Sequence, residues 1–152
     1  MPVLDANQFV ERLSRGKGVP AVLLLGGDLY LRDLCRAKLI AASVPGEARD
    51  WGVSRFSAAD DSLDRVLVQA QTLPMLAPRQ VVFLDEVEAL EKLGDKERDA
   101  AVDQLAAYLA DPAPFTVFVL EATQLDERMK LFKTLTQKAR VVSVDLGDSP
   151  EQ

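Results

Sequence analysis

Residues 61–86 read D-S-L-D-R-V-L-V-Q-A-Q-T-L-P-M-L-A-P-R-Q-V-V-F-L-D-E, a helix pattern, an apolar turn and a strand pattern in succession. Leu63, Val66, Leu67 and Ala70 recur at the spacing of one helical face, which predicts a helix over residues 62–72 with Asp60 or Asp61 as N-cap. Pro74 ends it, because the residue before a proline is pushed out of the helical region. Residues 81–84 form a short apolar run rich in β-branched and aromatic side chains, as a strand buried on both faces requires. Between helix and strand stand Met75 and Leu76, bracketed by Pro74 and Pro78. Turns are normally polar, so this pair either folds inward or is kept for a partner.

Outward from this stretch the alternation continues. Asp5 caps a helix to about residue 14 with Phe9, Val10 and Leu13 inside, broken by Gly16 and Gly18. Residues 20–25 read as a buried strand ending in Gly26-Gly27-Asp28, followed by a helix over 29–42 that turns Leu31, Leu34, Cys35 and Leu39 inward. Residues 43–50 read as a loop and 53–56 as a strand at the sheet edge. A polar connection containing Gly94 leads into a helix over 96–110 with Val102, Leu105, Ala106 and Leu109 on one face. A buried strand over 115–120 follows. Asp126 is then the expected cap of a helix to residue 139, with Met129, Phe132 and Leu135 inside, and 141–144 form the last strand. Five strands alternating with helices predict a three-layer α/β/α domain over residues 1–152 with a five-stranded parallel sheet.

Composition narrows the chemistry. The chain has 152 residues, 48% hydrophobic and 28% charged, as a folded domain with a sizeable core does. A net charge of −6 makes it a poor candidate for gripping a phosphate backbone by itself. The absence of histidine removes histidine-based acid–base catalysis and His-ligated metal sites. A single cysteine, Cys35, allows no internal disulfide and suits a reducing compartment; on the inner face of a helix it reads as a small core residue. No apolar run approaches the ~18 residues of a membrane span, so the expected location is the cytoplasm.

Two stretches have the form of enzyme motifs. Val81 to Glu86 has the form of a Walker B strand, in which the acids Asp85 and Glu86 would hold Mg²⁺ and polarise water. That chemistry also needs a phosphate loop with a lysine and a hydroxyl. The turn after the first strand is Gly26-Gly27-Asp28-Leu29-Tyr30-Leu31-Arg32-Asp33, without the lysine, and Asp28 would set negative charge against a phosphate. A phospho-receiver is the other candidate, since Asp28, Asp85 and Thr123 all follow strands; the lysine it needs after the last strand is missing from Asp145-Leu146-Gly147. The plain reading of Asp85 and Glu86 is an acidic strand end. The basic residues Arg128, Lys130, Lys133 and Lys138 read as a solvated face or a surface for another subunit.

The order of segments resembles a known family. A strand ending in Gly-Gly-Asp, then T-L-P-M-L-A-P-R-Q-V-V at 72–82, F-T-V-F-V-L-E-A-T at 115–123 and L-D-E-R-M-K-L-F-K-T-L at 125–135 resemble the N-terminal domain of the delta subunit of the bacterial DNA polymerase III clamp loader. The likeness runs over essentially the whole chain, and the second and last of these segments together are fairly specific to the family. It implies an AAA+ (P-loop NTPase-like) topology without a functional P-loop. The last strand would then lie at one edge, followed by the first, the fourth, the third and the second. Gly26, Gly27, Asp28, Asp85 and Glu86 would mark a degenerate, non-functional nucleotide site, with no cofactor and no metal. The implied function is to bind the sliding clamp (the beta subunit) and help open its ring while neighbouring subunits hydrolyse ATP. The implied partners are the gamma/tau and delta prime subunits, with DNA reached only through the complex and no membrane contact. The family's clamp contact maps onto Leu73, Pro74, Met75 and Leu76. Its usual pair is Leu-Phe, so Met75-Leu76 lacks the aromatic. The family's lid and collar domains are absent from these residues.

Overall fold

A computed structural model describes residues 3–145. The remaining ends of the expected 1–152 domain, including Leu146 and Gly147, lie outside the described residues.

Six strands form one parallel sheet in the order β1-β6-β2-β5-β4-β3. They are β1 (Leu4–Asp5), β2 (Ala21–Leu25), β3 (Val53–Ser57), β4 (Gln80–Asp85), β5 (Thr116–Ala122) and β6 (Arg140–Ser143). The five expected strands keep their expected order. The sixth, β1, pairs Leu4 with Val142 and Asp5 with Ser143 beyond the last strand. Two residues are too short for a hydropathy period, so only the distant β6 makes them a strand.

The central strands read as unbroken apolar runs because they feed two cores at once. Leu23, Val82, Leu84, Phe118 and Leu120 point into one, closed by α4 (Leu63–Gln71), α5 (Asp95–Ala110) and α6 (Lys130–Lys138). Val22, Leu24, Val81, Phe83, Val117 and Val119 point into the other, covered by α1 (Ala6–Ser14) and α2 (Leu29–Ser43). The result is the three-layer α/β/α arrangement.

Several local expectations are corrected. The cap of α4 is Ser62, whose side chain accepts from the Arg65 amide, and not Asp60 or Asp61. Asp61 is engaged in a turn, its carboxylate accepting from the Ser57 amide at 2.9 Å. Asp126 heads a tight turn and not a helix: it accepts from the Arg128 amide at 3.0 Å, and α6 begins four residues later behind Met129. The connection after β4 contains a 3₁₀ helix, Val87–Lys92, that buries Val87 and Leu90. The expected loop over 43–50 holds a 3₁₀ turn, Gly46–Ala48, and runs into a short helix, α3 (Arg49–Gly52). On α2, Cys35 and Leu39 are buried as expected, Leu31 and Leu34 are only half-buried, and Arg32 is buried instead.

Candidate functional site

The two groups of residues singled out in the sequence lie at opposite ends of the parallel sheet, separated by the length of β4, about 16 Å of strand. Asp85 and Glu86 leave its C-terminal end; Leu73 to Leu76 precede its N-terminal end.

At the N-terminal end, α4 stops at Thr72, whose backbone is extended. The last carbonyls of a helix lack helical partners; Thr72 itself donates to those of Val68 and Gln69, and two buried polar side chains from the sheet engage those of Gln69, Ala70 and Thr72. Gln80, 1% exposed, donates through Nε2 to the carbonyls of Gln69 (3.0 Å) and Thr72 (2.9 Å), and Thr116 Oγ1 donates to the Ala70 carbonyl at 2.7 Å. The two are joined to each other, Gln80 Nε2 to Thr116 Oγ1 at 2.9 Å. The end of α4 is thus bolted to β4 and β5. Beyond it the chain carries Leu73 (65% exposed), Met75 (95%) and Leu76 (62%) into solvent, with Pro74 half-buried and Ala77 packed back against the second core. Prolines at 74 and 78 restrict this tip from both sides. The outcome is a projecting apolar knob on a rigid base. Gln80 and Thr116 were invisible to the sequence reading. Gln80 sits just before one predicted strand and Thr116 inside another, and nothing local marks either as the anchor of a helix end 8 to 46 residues back along the chain.

At the C-terminal end of the sheet, Gly26, Gly27 and Asp28 follow β2, and Asp85 and Glu86 follow or close β4, with β5 between the two strands. The backbone amides a phosphate would need are engaged within the chain. Gly26 N–H donates to the Ala122 carbonyl (3.0 Å), Gly27 N–H to Asp145 Oδ1 (2.8 Å) and Asp28 N–H to the Val144 carbonyl (2.9 Å). Asp28 itself caps α2, accepting from the Leu31 amide at 2.9 Å. The turn is pressed against β6 so closely that a Cβ on Gly26, whose φ is +145°, would stand 2.7 Å from Val144 backbone atoms.

Next to this turn sits a cluster that the sequence reading missed. Arg32, 6% exposed, donates to the Gly26 carbonyl at 2.8 Å and lies 3.7 Å from Asp85 and 3.8 Å from the fully buried Glu121. Arg36 Nε meets both carboxylate oxygens of Glu121 at 2.9 Å, and its Nη2, which also bonds Glu121, lies 3.7 Å from Asp85. Two guanidinium groups therefore neutralise the Walker-B-like Asp85 and its neighbour from inside the protein. Burial pushes the Glu121 carboxyl above the usual carboxylate range against the pull of Arg36. Burial, then the Glu121 charge, pushes the Cys35 thiol beneath them up to about 11. Glu86 turns away in a left-handed conformation (φ 54°) onto a cleft of about 580 Å³ that it shares with Arg32, Asp85, Glu88, Lys92 and Thr123. A signal existed for this cluster: Arg32 and Arg36 stand four apart on a helix whose inner stripe they interrupt.

Comparison with known proteins agrees with the resemblance. The family model of the DNA polymerase III delta subunit matches residues 23–145. Over 132 residues the chain is 34% identical to DNA polymerase III subunit delta of Bacillus subtilis, covering 85% of this chain and 38% of that protein. The solved DNA clamp loader delta protein of Bacillus subtilis has a similar fold, with a TM-score of 0.81 and 31% identity over 92% of this chain and 42% of that one. A DNA polymerase III gamma subunit-related protein from Thermotoga maritima shares the fold at a TM-score of 0.60 and 18% identity, over 97% of this chain and 47% of its own. The chain spans about two-fifths of the length of the delta proteins it matches.

Proposed function

The chain belongs to the DNA polymerase III delta subunit family, and from that membership we propose that it docks on the replicative sliding clamp through Leu73, Pro74, Met75 and Leu76. In this reading it helps open the clamp ring as part of a complex with gamma/tau and delta prime subunits, and carries out no ATP chemistry of its own. The observation that carries the reading is the exposure of Met75, 95%, and Leu76, 62%, on a base held by Gln80 and Thr116. Two large apolar side chains standing in water contribute little to the fold and are available to a hydrophobic pocket. Burying both is worth on the order of 3–6 kcal/mol before the costs of association. The unbranched thioether of Met75 adapts to a pocket built for a different shape. Because the base is already ordered, little entropy is lost on docking.

Met75→Ser combined with Leu76→Ser tests this. The melting temperature should stay nearly unchanged, since neither side chain is part of a core, while affinity for the cognate clamp should fall by ~10²-fold or more. A variant that loses stability but keeps its clamp affinity, corrected for the folded fraction, would place the contact elsewhere.

A further inference from the structure

Beside the tip stands an aromatic residue that the fold leaves uncovered. Trp51, the chain's single tryptophan, is 62% exposed at the end of α3, immediately before β3. β3 and β4 are neighbours in register, Val53 opposite Val81, so the segments entering both strands lie at the same end of the sheet. Gly52 brings them into contact: a Cβ there would sit 3.2 Å from the Arg79 carbonyl and 2.7 Å from Val44 Cγ1. Trp51 is one residue from that contact. Leu76 is three residues from it along the other segment, at most about 11 Å of extended chain. The segment that carries Trp51 is thus held against the stem of the tip by a close backbone approach at Gly52.

We propose that Trp51 is a second anchor for the same clamp partner, supplying next to the tip the aromatic surface that Met75-Leu76 lacks. This rests on the reading of the tip as the clamp contact and deepens it. Two features favour the clamp as the occupant. Trp51 stands at the same end of the sheet as the apolar knob, on the segment that touches the knob's stem at Gly52 and Arg79, so a partner seated on the knob approaches that end. Tryptophan is also among the residue types most enriched where an interface concentrates its affinity.

The test uses this chain and its cognate sliding clamp, with Trp51→Ala, Trp51→Phe and the Met75→Ser/Leu76→Ser pair compared by calorimetry and thermal melting. Trp51→Ala should weaken clamp binding by about tenfold at an unchanged melting temperature, and Trp51→Phe should recover part of the loss. With 5-fluorotryptophan in place of Trp51, the lone ¹⁹F resonance should shift when clamp is added. If the tip pair loses binding while Trp51→Ala binds as the parent does and the resonance stays put, Trp51 is no anchor and the tip reading survives. If the tip pair binds normally, the tip reading fails and this inference with it. A shift that appears on concentrating the chain alone would assign Trp51 to self-association, and a lowered melting point of Trp51→Ala to the domain's own packing. Either outcome overturns the proposal.

Discussion

Cys35 and Glu121 are the residues on which burial acts most visibly. Both are fully enclosed, yet both are side chains that water would readily ionise. Enclosure raises the Cys35 thiol from an ordinary 9.0 to about 11, so the folded protein keeps a proton that the unfolded chain releases earlier. The stabilising contribution is therefore complete below pH ~9 and is lost as pH rises toward ~11, on the order of 2–3 kcal/mol over that window. Denaturant titrations from pH 8 to 11 should show the parent losing this margin relative to Cys35→Ala. A flat difference would mean that the thiol is reached by water. Glu121 carries a different risk. Its removal takes from the buried Arg32 one of its two carboxylate neighbours and leaves it the half-exposed Asp85 and its bonds to Gly26 and Thr123. Glu121→Ala is expected to cost about 3–5 kcal/mol in unfolding free energy, because Arg32 stays buried with only a half-exposed carboxylate to offset its charge. A loss below about 1 kcal/mol would show that water or Asp85 takes over.

At the scale of the element, α4 illustrates both the strength and the limit of periodicity. The spacing of Val66, Leu67 and Ala70 identifies the helix and the face it buries. Its start is ambiguous in the sequence because Asp60, Asp61 and Ser62 are all competent caps. The choice is made by the turn that ties Asp61 to Ser57. Its end depends on Gln80 and Thr116, which no local pattern announces. Gln80→Leu should leave the Thr72 carbonyl without its donor and the Gln69 carbonyl with the Thr72 N–H alone, at a cost of about 1–3 kcal/mol. The same substitution should speed hydrogen exchange of the last-turn amides of α4. Unchanged exchange would mean that the core contacts of Val66 and Ala70 hold the helix end without help. The aspartate at 126 shows the reverse limit: a residue that can cap a helix spends its carboxylate on a turn closed by its own Arg128.

For the whole molecule, a parallel sheet separates what happens at its two ends. At the C-terminal end the turn amides, Asp28 and Asp85 already have partners inside the chain. We therefore expect calorimetry to detect no micromolar Mg-ATP binding. Tight binding abolished by Asp85→Ala would restore the nucleotide-hydrolysing alternative. No helix among the described residues is long and apolar enough to cross a membrane. The sequence by itself determined the layer architecture, because strands buried on both faces must be continuous apolar runs and helices covering them must be amphipathic. It also determined the missing phosphate-loop lysine, a matter of composition at one turn. Whether Met75 and Leu76 fold inward, which partners engage Asp85, and where Trp51 stands were decided only by the tertiary structure. Exposure and ion pairing depend on which distant segments meet: Arg36 reaches Glu121 across 85 residues of chain, and Gln80 reaches Thr116 across 36. Periodicity reports the face a residue lies on; it carries no information about what stands opposite that face.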